Sequence, residues 1–436
     1  MSIPSTTDGP RPNGHHYNVD TIFSLVTMVI SSLPIRGAAI AFSVVCDAFL
    51  RCSDMDTPSY STVRLWLLRI GYYKLIQPKE KADDWIWIID HSVQIGTAKC
   101  LVILGVRHCT LAHDGDYTLT HEQVEPLRIV PMTHSNGPAV QRELEAAVAM
   151  TGVPRAVLSD GGSDLQSGIR AFCDMHRDTA AIYDVHHKTA VELKRILEHD
   201  PTWSEFISSV NAFKLKVQQT PFAPLAPPAQ RSKSRYMNLD ILLHWLRERM
   251  LPARDMPMQT ATILGVNASA LEEKLAWLTA YEENIQRWDE LSFIVDVCNT
   301  VVRRDGYGVG VAETLVRLWP NPTTSTADEL QKRLLAFVQT QSAQAHAGER
   351  LPGCSDIIES VFGKFKHLEG EHAKSGFSGS VLAIAAMVSI TTHAVIQRAL
   401  ETTTVKDVKN WIANVIGRTV QGTRHRLLLN SKSAVS

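Results

Sequence analysis

The chain has 436 residues, enough for two or three domains and at least one large core. Hydrophobic residues make up 44% and charged residues 20%, the formal net charge is -1 and the pI is about 7.0. That balance excludes a global positive field, so any nucleic-acid surface must be local. Seven cysteines include no C-x-x-C pair, which excludes zinc-finger spacing and fits reduced, buried thiols.

Residues 1–18, rich in Pro, Gly, His, Asn and Thr, read as a disordered tail without a signal sequence. Residues 19–81 carry a helical pattern three times, over 19–32, 36–51 and 62–70. In the third, Val63, Trp66, Leu67 and Ile70 form one stripe, Ser59 or Ser61 can cap the start and Gly71 can end it. Arg64 and Arg69 lie on the other side, with Lys74, Lys79 and Lys81 following. Such a face suits a recognition helix backed by phosphate contacts, and equally a small subdomain with solvated charges.

Residues 82–200 open on the run Asp84-Trp85-Ile86-Trp87-Ile88-Ile89-Asp90, which predicts a strand buried on both faces with Asp90 at its end. A carboxylate there either binds something in a cleft or starts and caps a turn. A second strand follows over 97–107, and residues 108–119 can supply a third. A helix begins at Gln141. A short strand then ends in Asp160, followed by Gly161-Gly162, where glycine lets the backbone turn sharply. After a helix over 165–173, the segment 180–187 gives another strand ending in acid, Asp184-Val185-His186-His187, and a helix over 188–198.

Residues 201–351 change to helices and loops, with a Pro/Ala-rich stretch at 221–228, a basic run at 231–235 and a long helical stretch over 271–302. Gly306-Tyr307-Gly308-Val309-Gly310 reads as a flexible turn, since it lacks the context of a phosphate loop. Residues 352–400 carry a helix in which Ile358, Val361, Phe362 and Phe365 form a stripe, with Glu359 beside it and Lys364 and Lys366 further along. Asp356 competes with Glu359 as an acid there. Helices over 380–400 and 404–416 follow, and residues 401–436 end in a tail with Arg418, Arg424 and Arg426. The apolar run 381–391 is too short to span a bilayer. The expectation is therefore a cytoplasmic protein with no membrane partner.

Three acids on separate elements, Asp90, Asp160 and Glu359, form an oxygen donor set of the kind that holds Mg²⁺ for phosphoryl transfer. The element order β-β-β-α-β-α-β-α resembles that of a ribonuclease-H-like domain. With its interruption before Glu359, the chain over residues 84–395 resembles a DDE transposase of the Mutator-like or hAT-like type. Asp184-Val185-His186-His187 fits the Cys/Asp-x-x-His mark of those enzymes, and Arg287-Trp288 fits their Arg-Trp mark.

The resemblance implies an α/β fold: a ribonuclease-H-like mixed sheet flanked by helices, split by an all-helical insertion and preceded by a helix-turn-helix domain. It implies two Mg²⁺ ions, for which Mn²⁺ can substitute, on Asp90, Asp160 and Glu359, supported by Asp184 and His187. It also implies double-stranded DNA, as transposon ends and target, met by Arg64, Arg69, Lys74, Arg287, Trp288, Lys364 and Lys366. The protein would act as a homo-oligomer, a dimer or larger, and associate with the nucleoid. Arg287 and Trp288 would hold a nucleotide drawn out of the duplex, although Trp277, Leu278, Tyr281, Ile285, Trp288 and Leu291 also follow one buried stripe. Asp160 can equally cap its turn, and Asp184 with His187 can be a buried pair. The rival functions are a nuclease that cuts without joining and an inactive DNA-binding descendant.

Overall fold

Strand β1 spans Trp85–Ile95 and β2 spans Ala98–Arg107; they pair antiparallel. The computed structural model describes residues 9–50, 57–95, 98–228, 239–369 and 378–417 of the chain. The basic run at 231–235, Arg418, Arg424, Arg426 and residues 1–8 of the expected tail lie outside the described residues. Two units are distinguished, Met1–Ile182 with Ser355–Ser436, and Tyr183–Cys354.

In the first unit, β3 (Glu125–Met132), β4 (Ala156–Ser159) and β5 (Ala180–Tyr183) join β1 and β2 in one sheet of order β3-β2-β1-β4-β5. β2 runs antiparallel to β1 and β3, while β4 runs parallel to β1. This α/β arrangement, a mixed sheet flanked by helices, is compatible with a ribonuclease-H-like fold. Helices α5 (Gly137–Thr151) and α6 (Ser163–Met175) cover one face. There Trp85, Trp87 and Ile89 pack with Leu144 and Phe172. Ile86 and Ile88 are also fully buried, so β1 is covered on both faces, as its unbroken apolar run predicts.

Several boundaries differ from the sequence reading. β1 does not end at Asp90: it continues to Ile95, still paired with β2. Residues His108–Asp114 form a helix, α4, closed by Gly115 in the left-handed region. The third strand comes later, at Glu125–Met132. Its prolines at 126 and 131 are tolerated because it lies at the sheet edge.

The three N-terminal helices are α1 (Val19–Ile30), α2 (Ile35–Val45) and α3 (Tyr60–Ile76). Asn18 and Ser59 cap α1 and α3 through their side chains. Gly71 does not end α3. A β-carbon there would stand 2.0 Å from the Leu382 carbonyl oxygen, so glycine permits the close crossing of the Leu382–Ala386 helix. Within the expected tail, Tyr17 meets Trp66 edge-on at 5.3 Å, and His15 Nε2 lies 2.9 Å from Arg69. Those residues are packed rather than disordered.

The second unit is mostly helical, from α7 (Val185–Leu197) and α8 (Pro201–Val217) to the 24-residue helix Glu282–Asp305. It begins before the expected 201 and is not purely helical. Tyr307–Gly308 pairs with Arg350–Leu351 in a small ribbon, with Tyr307 fully buried, where a flexible turn is expected from the glycines. Among the described residues no helix is long and apolar enough to cross a membrane.

Candidate active site

The last parallel pair between β1 and β4 is Ile89 with Ser159. The next residues are Asp90, still in β1, and Asp160, one position past the end of β4, where paired strands lie about 4.8 Å apart. β4 stops at Ser159 while β1 continues, so a cavity of about 190 Å³ opens there. Asp90, His91, Ser92, Lys99, Asp160 and Asp164 help to line it.

Local geometry fixes both acids. Asp90 Oδ1 accepts the His91 N–H at 2.6 Å, and Asp160 Oδ1 accepts the Gly162 N–H at 2.9 Å. The turn between them and α6 needs a left-handed residue, Gly161 at φ 81°. One oxygen of Asp160 thus performs the turn-capping that its sequence position allows, and its carboxyl still lines the cavity. Two carboxylates side by side suit a hard cation such as Mg²⁺.

A second layer of polar groups surrounds this pair. Lys99 Nζ lies 3.0 Å from Asp164 Oδ2. His91 Nε2 lies 3.8 Å from the same oxygen and 3.0 Å from Ser135 Oγ. Burial alone would raise the Asp164 pKa, but hydrogen bonds from Ser135 and Lys99 and the charges of His91 and Lys99 outweigh it and hold it at about 2. Burial lowers the His91 pKa. Asp164 and Asp160 oppose that, Lys99 reinforces it, and the net shift is downward.

Glu359 is on the helix Asp356–Glu369, which packs against β1, the strand bearing Asp90. Ile358, Val361 and Phe365 are buried on it, while Glu359 is exposed and Asp356 half-buried. Neither lines the cavity. Lys366 is exposed and Lys364 half-buried, with burial lowering the Lys364 pKa.

The other candidates are engaged elsewhere. Asp184, in the second unit, caps α7 by accepting the His187 N–H at 3.0 Å, so the Asp-x-x-His spacing is here an N-cap spacing. Arg287 pairs with Asp200. Trp288 is fully buried, 4.8 Å from the Trp203 and Phe206 rings, which matches the buried-stripe reading. Arg64 donates to Ser380 Oγ at 3.3 Å. Arg69 donates to the carbonyls of Thr403, at 2.6 Å, and Leu400. Lys74 is buried against the segment 386–391.

Sequence reasoning does not single out His91, Ser92, Lys99 or Asp164. A signal exists for two of them: Lys99 interrupts an apolar strand, and Asp164 follows Asp160 by four residues, in the first turn of α6.

Among solved structures, the Drosophila P element transposase strand transfer complex aligns with 94% of this chain and 84% of that chain, at 9% identity and a TM-score of 0.31. No family model and no curated protein matches the chain.

Proposed function

We propose that the chain is a DNA transposase that cuts at element ends and joins strands through Asp90, Asp160 and Glu359. One observation carries this reading: the β1–β4 register that sets Asp90 beside Asp160 where β4 stops and a cavity opens. The ribonuclease-H-like element order and the packing of the Glu359 helix on β1 agree with it. Divalent ions held by these acids would supply activation of the attacking oxygen and stabilisation of the leaving one. Asp90 and Asp160 orient their oxygens through backbone N–H groups, and Asp164, ionised at neutral pH, holds Lys99 at the cavity.

Double-stranded DNA is the proposed partner, and a homo-oligomer the proposed assembly. Lys364 and Lys366, on the Glu359 helix, remain as proposed DNA contacts. Arg64, Arg69 and Lys74 leave that set, because their donors bond within the first unit, and so do Arg287, paired with Asp200, and the fully buried Trp288. The same observation favours the second reading, a nuclease that cuts without joining.

Asp90→Ala and Asp160→Ala should each lower Mg²⁺-dependent nicking of a supercoiled plasmid by at least about a thousandfold, roughly 4 kcal/mol of lost stabilisation, with melting temperature retained. Wild-type nicking in both variants would remove the enzyme reading. Loss on Glu359→Ala but not Asp356→Ala identifies the third acid, and the reverse replaces it. Joining of a duplex 3′ end to plasmid separates the transposase from the nuclease.

A further inference from the structure

Two polar groups at the cavity have no part in the acid set. Ser92 is 1% exposed, lines the cavity, and its Oγ is buried with no hydrogen-bond partner among the described residues. A buried hydroxyl left without a partner is costly, and that cost is relieved if the side chain turns into the cavity to meet a guest oxygen. Lys99 stands beside it. β1 and β2 pair Ser92 with Cys100 and Gln94 with Lys99, with a bulge between Ser92 and Gln94, and a bulge re-aims the side chains around it. The Lys99 side chain is 31% exposed. An ammonium has three donors, and Asp164 takes one at 3.0 Å. Lys99 is the lysine among the residues that line the cavity.

We propose that Ser92 Oγ and Lys99 Nζ form an anion subsite that takes a non-bridging oxygen of the DNA phosphodiester lying against Asp90 and Asp160. This rests on the function proposed above. Asp164 is the positioning residue of the subsite: its hydrogen bonds to Ser135 and to its own helix leave it fixed, and it holds the ammonium at the cavity wall. A counter-ion role for Lys99 would account for the Lys99–Asp164 pair but not for the buried Ser92 hydroxyl.

The test uses the full-length chain, a short fluorescent duplex of random sequence bound in EDTA, and plasmid nicking in Mg²⁺. Lys99→Met should flatten the salt dependence of duplex binding by about 0.9 in slope, one phosphate contact, and Lys99→Arg should restore it. Ser92→Ala should leave the slope unchanged, since a hydroxyl carries no charge. Lys99→Met and Ser92→Ala should each slow nicking about tenfold, the range of one hydrogen bond to a charged oxygen, at wild-type melting temperature. Wild-type nicking and slope in both variants overturn the subsite and leave the acid site standing. Slower nicking that tracks a falling melting temperature, with an unchanged slope, also overturns it. A wild-type chain that neither binds the duplex nor nicks the plasmid removes the proposed function, and the subsite with it.

Discussion

Lys74 on α3 and Lys99 at the mouth of the sheet are both lysines set among oxygens, and they differ in closure. Lys74 is 1% exposed. Its ammonium reaches Thr391 Oγ1 at 2.6 Å and the carbonyls of Val388 at 2.7 Å, Ser389 at 3.0 Å and Ala386 at 3.4 Å. Lys99 has the Asp164 carboxylate and otherwise faces a cavity that Ser92 also lines, its buried hydroxyl without a partner among the described residues. A charge saturated from within ties elements together, whereas one anchored on a single side is available to a ligand. Residue type is the same signal in both places; the number of internal partners separates architecture from function.

The largest effect expected on the architectural side is at Trp288. Its ring is enclosed by Trp203 and Phe206, and truncating a core Trp costs about 3–5 kcal/mol. Trp288→Ala should therefore lower the urea midpoint sharply while the folded fraction nicks plasmid normally. A stable variant with slow nicking would return Trp288 to the DNA contacts and blur the contrast.

Lys74→Met comes next. It keeps the aliphatic stem but leaves the carbonyls of Val388 and Ser389 without their donor, at about 1–3 kcal/mol for a buried unsatisfied group. The pH dependence is a sharper test. Burial pushes the Lys74 ammonium down from 10.5 to about 7, and the Lys79 charge acts the same way. Lys79 itself is paired with Glu125 at 2.9 Å. A base whose folded value lies below its unfolded value binds fewer protons folded than unfolded between the two. Stability should thus rise as pH climbs from about 7 to 10.5 and be lost on the way down. Urea unfolding across that window should show the rise in wild type and its absence in Lys74→Met. Equal curves would mean that Lys74 is not a closed charge.

How far the sequence carries follows from the same distinction. The buried strand β1 is legible because an unbroken Trp/Ile run has few other homes. Asp90 and Asp160 are legible as a pair because each ends an apolar run in a recurring order. The three N-terminal helices follow from their 3.6-residue stripe. β3 is not legible, because Pro126 and Pro131 disguise a strand that only an edge position permits. The fates of Arg69 and Lys74 are not legible either: their partners lie more than 300 positions along the chain. Lys99 and Asp164 meet across 65 positions, once the sheet has brought their segments together. Trp288 fits a buried stripe and a stacking platform equally well until Trp203 and Phe206 are seen around it.

The smallest stability effect, and the closest test of the contrast, is at Asp164. Burial would raise its carboxyl, but the hydrogen bonds from Ser135 and Lys99 outweigh that and hold it at about 2, below the ordinary 3.8. A carboxylate shifted this way contributes stability at neutral pH that is lost as pH falls from 3.8 toward 2. Asp164→Asn removes the contribution, so the urea midpoints of variant and wild type should differ above that window and converge below it. The gap should be small. The Asp164 and Lys99 side chains are 14% and 31% exposed, and an ion pair that water reaches is worth under about 1 kcal/mol. Nicking should respond more, slowing about tenfold as Lys99 loses its anchor, the equivalent of one charged hydrogen bond. A small loss of stability with a clear loss of rate is what an open charge at a working site gives. A loss of several kcal/mol with normal nicking would instead make Asp164 and Lys99 a closed pair of the Lys74 kind, and the distinction between the two regions would collapse.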